Sequence, residues 1–278
     1  MGTAICGRCG AWVNDQAWRC HHCGRLLPGL LGQRHWLDSI FSRSRSQARV
    51  LLVVLVFLYV FELFLTSVTP EGDGGARHGV TIDPSGVATV RAGALLPWEV
   101  TKHQPWRVVT AMLLHGGVLH IACNGMSLLT LGMFIEELFG PARFWVVFTL
   151  TGIAGNAFSL LFPSMSFAVG ASGGLFGLMG AMLGWGVRRG GVFGAEIKRQ
   201  TIRWLIYGAI ISVIPGISWT GHLGGAVSGF LLSYFMAILD RRSGRESDAA
   251  RFVALGCVLL QIVSVVLMLF AAARWPNF

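Results

Sequence analysis

Seven apolar stretches constrain this chain more than any other feature. They run Val50–Val68, Leu113–Ile135, Phe144–Phe162, Phe167–Val187, Ile202–Ile217, Trp219–Leu239 and Phe252–Ala273. A helix needs about 20 apolar residues to cross the bilayer core, and most of these stretches supply them. Ile202–Ile217 is short and ends beside Pro215. Charged residues make up 13% of the chain, whereas a soluble domain carries about a quarter. This composition excludes a disordered chain and an ordinary soluble enzyme. It predicts an all-α polytopic membrane protein with seven spans. The 37 glycines suit such helices, which use small residues to pack closely.

The formal net charge of +9 raises the question of nucleic acid. Its distribution answers in favour of membrane topology. With the amino terminus inside, seven spans place Arg77, Arg91, Lys102, Arg107 and Arg274 outside and the other seventeen Lys and Arg inside. Arg188, Arg189, Lys198, Arg199 and Arg203 fall in one inner loop, and Arg241, Arg242, Arg245 and Arg251 in another. That is the positive-inside pattern, and no nucleic-acid partner is expected. The start of the chain lacks the pattern of a cleaved signal peptide. The expected location is the plasma (inner) membrane, with the carboxyl terminus outside.

The amino terminus is a separate unit. Cys6-x2-Cys9 and Cys20-x2-Cys23 form two knuckles that can surround one tetrahedral Zn²⁺ with four thiolates. Gly10 and Gly24 follow the knuckles where the chain must turn. Two disulfides are the alternative, and a reducing cytoplasm disfavours them. So small a segment has no core of its own, and metal would supply its folding energy. The expected organisation is a zinc ribbon at 1–28, a basic linker at 29–49, a six-helix core at 50–240, and a loop with a seventh helix at 241–278. The ribbon's partner is not legible. Cys123 and Cys257 read as small apolar residues within spans.

Polar groups inside a bilayer are costly and mark function. Ser172 is expected one or two turns into the fourth span, roughly 8 Å down at about 1.5 Å per residue. His222 opens the sixth span. His120 and Asn124 lie four apart on one face of the second. These four groups can meet near the outer leaflet. Ser172 needs an adjacent base to act as nucleophile, and His222 can supply it. His120 and Asn124 are suitable donors to an oxyanion. Gly170 and Gly173 leave backbone open beside the serine, and Gly225 and Gly229 let the sixth helix approach a neighbour. No Asp lies in any span, and Glu62, Glu136 and Glu137 are not placed at the required depth. The expectation is therefore a Ser–His dyad without a third acid.

At these residues the sequence resembles the rhomboid family of intramembrane serine proteases. The likeness runs from about Trp106 to Gly229. Trp106-Arg107 resembles the family's WR pair, and His115-x4-His120-x3-Asn124 its HxxxxHxxxN string. Glu136 with Gly140 resembles ExxxG, Gly170-Ala-Ser172-Gly173 resembles GxSG, and His222-x2-Gly225-x3-Gly229 resembles HxxGxxxG. The resemblance implies a six-helix core around a water-filled cavity, with Ser172 as nucleophile and His222 as general base, then acid. It assigns His120, Asn124 and the Ser172 N–H to the oxyanion. It implies a structural or water-holding role for His115, a loop anchor in Arg107, and a hydrogen bond from Glu136 near the inner end of the second helix. Glu136 and Glu62 read as structural carboxylates at helix ends. Gly221 stands where many members have Ala, which retains a small residue before the histidine. The expected activity is serine endopeptidase action on transmembrane protein substrates, with no cofactor for the chemistry. Two rivals are a non-proteolytic rhomboid-like adaptor, and a metal-dependent enzyme or transporter using His115, His120 and Cys123.

Overall fold

The computed structural model describes residues 3–6, 9–14, 17, 19–24, 40–42, 45–69, 82–163, 166–239 and 248–274. Most of the linker 29–49, Arg77, and the loop with Arg241, Arg242 and Arg245 lie outside the described residues. The ribbon opens on two antiparallel strands, β1 (Thr3–Ile5) and β2 (Trp12–Asn14), paired from Thr3 opposite Asn14 to Ile5 opposite Trp12.

Among the described residues seven long helices follow: α1 (Gln47–Val68), α5 (Val118–Phe139), α6 (Pro141–Leu161), α7 (Ser172–Arg189), α8 (Gly191–Ile211), α9 (Trp219–Leu239) and α10 (Asp248–Ala273). Among the described residues, three short helices lie between α1 and α5: α2 (Gly86–Arg91), α3 (Trp98–Thr101) and α4 (Arg107–Thr110). Among the described residues, α1, α5, α6 and α10 are long and apolar enough to cross a membrane. Their outward faces are apolar, with Val53, Phe57 and Phe64 exposed on α1 and Leu259, Val263 and Phe270 on α10. In water such faces would be unstable; in lipid they are at home. The molecule is a polytopic helical membrane protein.

The seven helices correspond one for one to the seven apolar stretches, with corrected limits. The fourth stretch begins at Phe167, but α7 begins at Ser172. Residues before it are held extended: Ala168 exchanges backbone bonds with Leu95 at 2.9 and 3.0 Å, and Gly170 takes φ +129°. The second helix starts at Val118 rather than Leu113, because Ala111–Leu113 form a separate 3₁₀ turn. The fifth is longer than the apolar run. α8 includes Lys198, Arg199 and Arg203, which the charge pattern alone assigned to a loop. Charge lowers hydropathy but does not break a helix, and Arg199 pairs with Glu196 at 2.7 Å on its exposed face.

α7 lies at the centre, packed against α6, α8 and α9. Its approach to α9 is backbone to backbone. A Cβ added at Gly225 or Gly229 would overlap the carbonyl oxygens of Gly173 and Gly177. In a membrane, where apolar burial does not drive helices together, such close contact is the chief source of cohesion. α10 packs on α6 and α4.

Glu136 fastens the far end of the bundle. It stands near the end of α5, but its carboxylate serves another helix. It accepts from the Gln47 and Ala48 N–H groups at 2.8 Å each and from the Ser46 hydroxyl at 3.0 Å. The first-turn donors of α1, which its own helix leaves free, thus find an anion. Glu62 departs from its expected place at a helix end. It is buried within α1, six residues before Val68.

Candidate active site

The site forms where three helices start. Ser172 is the first residue of α7, His222 the fourth of α9, and His120 the third of α5. Ser172 is therefore not one or two turns into its helix, as its position in the apolar run suggested. The extended segment through Gly170 displaces the start of the helix to the serine itself. That places the hydroxyl beside the free N–H groups of the first turn.

The His222 Nε2 lies 2.7 Å from the Ser172 Oγ. His222 is buried, and two neighbours fix its ring. Phe176, one turn beyond Ser172 on the same face of α7, stacks on it with centroids 4.1 Å apart and planes within 10°. Ser212, at the end of α8, brings its Oγ to 2.6 Å from the His222 Nδ1. Sequence reasoning missed both residues. Phe176 has a signal in its i+4 spacing from Ser172. Ser212 has none, since its partner is set by how α8 meets α9. Among the described residues no carboxylate bonds His222.

His120 faces Ser172 from across the Gly170 segment. A Cβ at Gly170 would lie 2.8 Å from both Cε1 and Nε2 of His120 and 3.7 Å from the Ser172 Oγ. Gly170 is thus required twice, by its positive φ and by the ring in front of it. The segment is held from behind by a 2.8 Å bond from the Gly170 N–H to the Ala111 carbonyl. Asn124 is buried, and its amide donates to the His120 carbonyl at 3.0 Å. Its second N–H remains for another acceptor. The Gly173 Cα lies at the α7–α9 contact, within 3.3 Å of a Cβ built on Gly225.

His115 is fully buried behind His120, its ring edge-on with centroids 5.1 Å apart. Its backbone N–H donates to Glu62 Oε2 at 2.9 Å. Glu62 therefore reaches the depth of the site, through His115 rather than through His222. Both His115 ring nitrogens and Glu62 Oε1 are buried without a hydrogen-bond partner among the described residues. Buried polar atoms of this kind are ordinarily satisfied by internal water.

Arg107 anchors the loop between α2 and α4. Its guanidinium donates to the Val90 carbonyl at 2.9 Å, the Ala94 carbonyl at 2.8 Å and Gln104 Oε1 at 2.6 Å. It also lies over the Trp106 ring, 4.9 Å from the centroid. Burial draws its pKa down to about 10, so it stays charged at neutral pH. Arg107 fixes the loop that holds Leu95, and Leu95 pairs with Ala168 four residues before Ser172.

The four ribbon cysteines form one cluster. Their sulfurs all lie within 4.8 Å of one another, with Cys6–Cys23 and Cys9–Cys20 at 3.7 Å. No disulfide joins them, unlike the alternative pairing. A tetrahedron with Zn–S bonds of about 2.3 Å has edges of about 3.8 Å, so the donor set fits a metal of that size. The two knuckles turn alike: the Gly10 and Gly24 N–H groups donate to the Cys6 and Cys20 carbonyls at 2.9 Å, with φ of +73° and +67°. Among the described residues no second such group occurs, and His115, His120 and Cys123 do not form one.

A polytopic helical membrane protein with a serine and a histidine paired among its helices is the class that fold and site define. Residues 102–238 match the Rhomboid domain, and the chain belongs to the rhomboid family. It is 34% identical over 165 residues to RHOMBOID-like protein 1 of Arabidopsis thaliana, covering 58% of this chain and 42% of that one. It is 36% identical over 131 residues to the "Putative rhomboid protease YdcA" of Bacillus subtilis (strain 168), covering 46% and 66%. It is 32% identical over 221 residues to the "Inactive RHOMBOID-like protein 8" of Arabidopsis thaliana, covering 71% and 63%. The chain spans about half the length of the first curated relatives it matches.

Proposed function

We infer that this chain is an active intramembrane serine endopeptidase that cleaves transmembrane protein substrates with a Ser172–His222 dyad. The 2.7 Å contact between Ser172 Oγ and His222 Nε2 carries this reading. The relative named as a rhomboid protease supports it.

Ser172 Oγ attacks the scissile carbonyl while its proton passes to His222 Nε2. The carbonyl oxygen becomes an oxyanion, stabilised by the Ser172 N–H, His120 and Asn124. The C–N bond then breaks, and His222 returns the proton to the leaving amine. The acyl ester on Ser172 is attacked by water, with His222 again the base, and the acid product leaves. His115 and Glu62 hold water behind the oxyanion site, and Arg107 keeps the loop between α2 and α4 in register. The nucleophile and base are the protein's own, so this chemistry calls on no cofactor.

The ribbon at 1–28 holds one structural Zn²⁺ through Cys6, Cys9, Cys20 and Cys23, joined by the linker 29–49 to the core at 50–240. The metal would supply the folding energy of a module too small for a core. The charge pattern supports a plasma-membrane protein with its amino terminus cytoplasmic and its carboxyl terminus outside, so that substrates are cut near the outer boundary.

The test is cleavage of a single-span substrate in proteoliposomes by wild type, Ser172→Ala and His222→Ala. Cleavage by wild type alone is expected. Equal cleavage by Ser172→Ala sinks the assignment. Silence of the wild type across several substrates, with binding retained, supports the adaptor reading, which the likeness to a relative named inactive favours.

A further inference from the structure

Ser212 ends α8, in a part of the chain that the dyad chemistry does not use. It is buried, and its hydroxyl makes two short contacts: 2.7 Å to the Gly208 carbonyl and 2.6 Å to the His222 Nδ1. His222 Nε2 makes a third, 2.7 Å to the Ser172 Oγ.

Each contact needs one hydrogen, and the hydrogens can be assigned by elimination. A carbonyl oxygen cannot donate, so the Ser212 hydrogen points at Gly208. The Ser212 oxygen then has only lone pairs for His222, so Nδ1 carries the ring hydrogen. A neutral imidazole has one N–H, so Nε2 is bare and accepts from the Ser172 hydroxyl. The chain of donors runs from Ser172 through His222 and Ser212 to the Gly208 backbone. It leaves His222 in the one tautomer that can take the serine proton.

We propose that Ser212 is a positioning residue of this site, which locks His222 in the Nδ1–H tautomer and so occupies the place of the absent third acid. The proposal rests on the Ser172–His222 reading. Without the Ser212 oxygen, a buried Nδ1–H has no acceptor. The ring is then better satisfied by carrying its hydrogen on Nε2 and donating it to Ser172, an arrangement in which it cannot act as base. As the serine is deprotonated the ring becomes a cation, and the Ser212 oxygen, its own hydrogen turned toward Gly208, faces that charge. A hydroxyl does this less strongly than a carboxylate, because it brings a dipole rather than a charge.

The local packing places Ser212 for this task. Gly208 lies one turn before it, where a Cβ would come 2.5 Å from the Phe176 Cζ. Phe176 in turn stacks on His222. The absent side chain at 208 lets α8 seat on the same ring that backs the histidine, and Ser212 arrives at its Nδ1 edge.

The experiment uses full-length protein labelled with ¹⁵N-histidine in detergent, the His222 signals being assigned by their loss in His222→Ala. Ring ¹⁵N shifts report which nitrogen carries the hydrogen, whether or not the protein cleaves. Expected are an Nδ1–H ring in wild type and Ser212→Thr, and a shift toward Nε2–H in Ser212→Ala. Cleavage by the same samples should show kcat lower by about tenfold in Ser212→Ala, the scale of one hydrogen bond, with KM unchanged and the loss restored by Ser212→Thr. An Nε2–H ring in wild type, or a Ser212→Ala protein with unchanged tautomer, overturns the proposal. If Ser172→Ala cleaves like wild type, or if nothing cleaves, the protease reading fails, while the tautomer still decides the role of Ser212.

Discussion

Gly170→Ala probes the site most directly, because two independent constraints meet at that residue. The first is backbone: φ is +129°, which an L side chain rarely adopts, and the cost is about 1–3 kcal/mol. The segment cannot rotate to escape, since the Gly170 N–H is bonded to Ala111 and Ala168 is paired with Leu95. The second is steric. The new Cβ stands 2.8 Å from the His120 Cε1 and Nε2, where ordinary contact is about 3.5 Å. The ring must yield by about 0.7 Å, an overpacking cost of about 1–3 kcal/mol. Together the loss of stability should be about 2–6 kcal/mol, measured as unfolding free energy in mild detergent. In a His120→Ala background the steric part disappears, so Gly170→Ala should there cost only about 1–3 kcal/mol. Because the displaced ring is the proposed oxyanion donor, kcat should also fall by about 100-fold. Gly86→Ala is the control, since its Cβ meets nothing nearer than Phe167 at 4.0 Å. A Gly170→Ala protein with wild-type kcat, or a cycle in which the two substitutions are additive, refutes the reasoning.

Two further outcomes concern the far end of the bundle and the ribbon. Glu136→Gln should lower the unfolding free energy by about 1–3 kcal/mol, since an amide turns one donor toward the N–H groups of α1 that the carboxylate accepts; a denaturation midpoint equal to that of wild type would contradict this. Purified full-length protein should contain one zinc per chain by elemental mass spectrometry, lose it on acidification as the thiolates take up protons, and retain little in Cys9→Ser; metal content unaffected by Cys9→Ser would remove the ribbon assignment.

The polar constellation was legible because each member sits in an apolar run, where any hydroxyl or imidazole stands out. Ser172, His222, His120 and Asn124 could be placed near one depth by counting residues along the runs. Counting fails at the edges, because an apolar run is not a helix: Phe167–Ala171 is as apolar as α7 itself, yet the Leu95–Ala168 pairing and the positive φ of Gly170 keep the stretch before Ala171 out of the helix. Glu62 shows a different limit. Its sequence context reads as a carboxylate at a helix end, since nothing local reveals that the His115 N–H, 53 residues away, is its partner. Ser212 was invisible for the same reason. Serines near the end of a helix are common, and only the meeting of α8 with α9 sets this one against His222.

Hydropathy is weak in the helix that carries Ser172, and the packing explains why. α7 carries Ser172 but falls short of an obvious membrane span, diluted by glycines and ending in Arg188 and Arg189. Those glycines are what allow α6 and α9 to close on it, with Gly177 against Thr151 on one side and Gly229 on the other. A helix surrounded by other helices needs little lipid-facing surface, so its sequence can devote positions to contact rather than to apolarity. α8 also falls short, and it too contributes to the site, through Ser212. The strongly apolar α1 and α10, by contrast, expose broad faces to lipid. α1 supplies only Glu62, and α10 lies against α6 and α4. α7, which carries Ser172, is thus less membrane-like in composition than α1 and α10, because its neighbours are protein, whereas α8 falls short through the charges of Glu196, Lys198, Arg199 and Arg203.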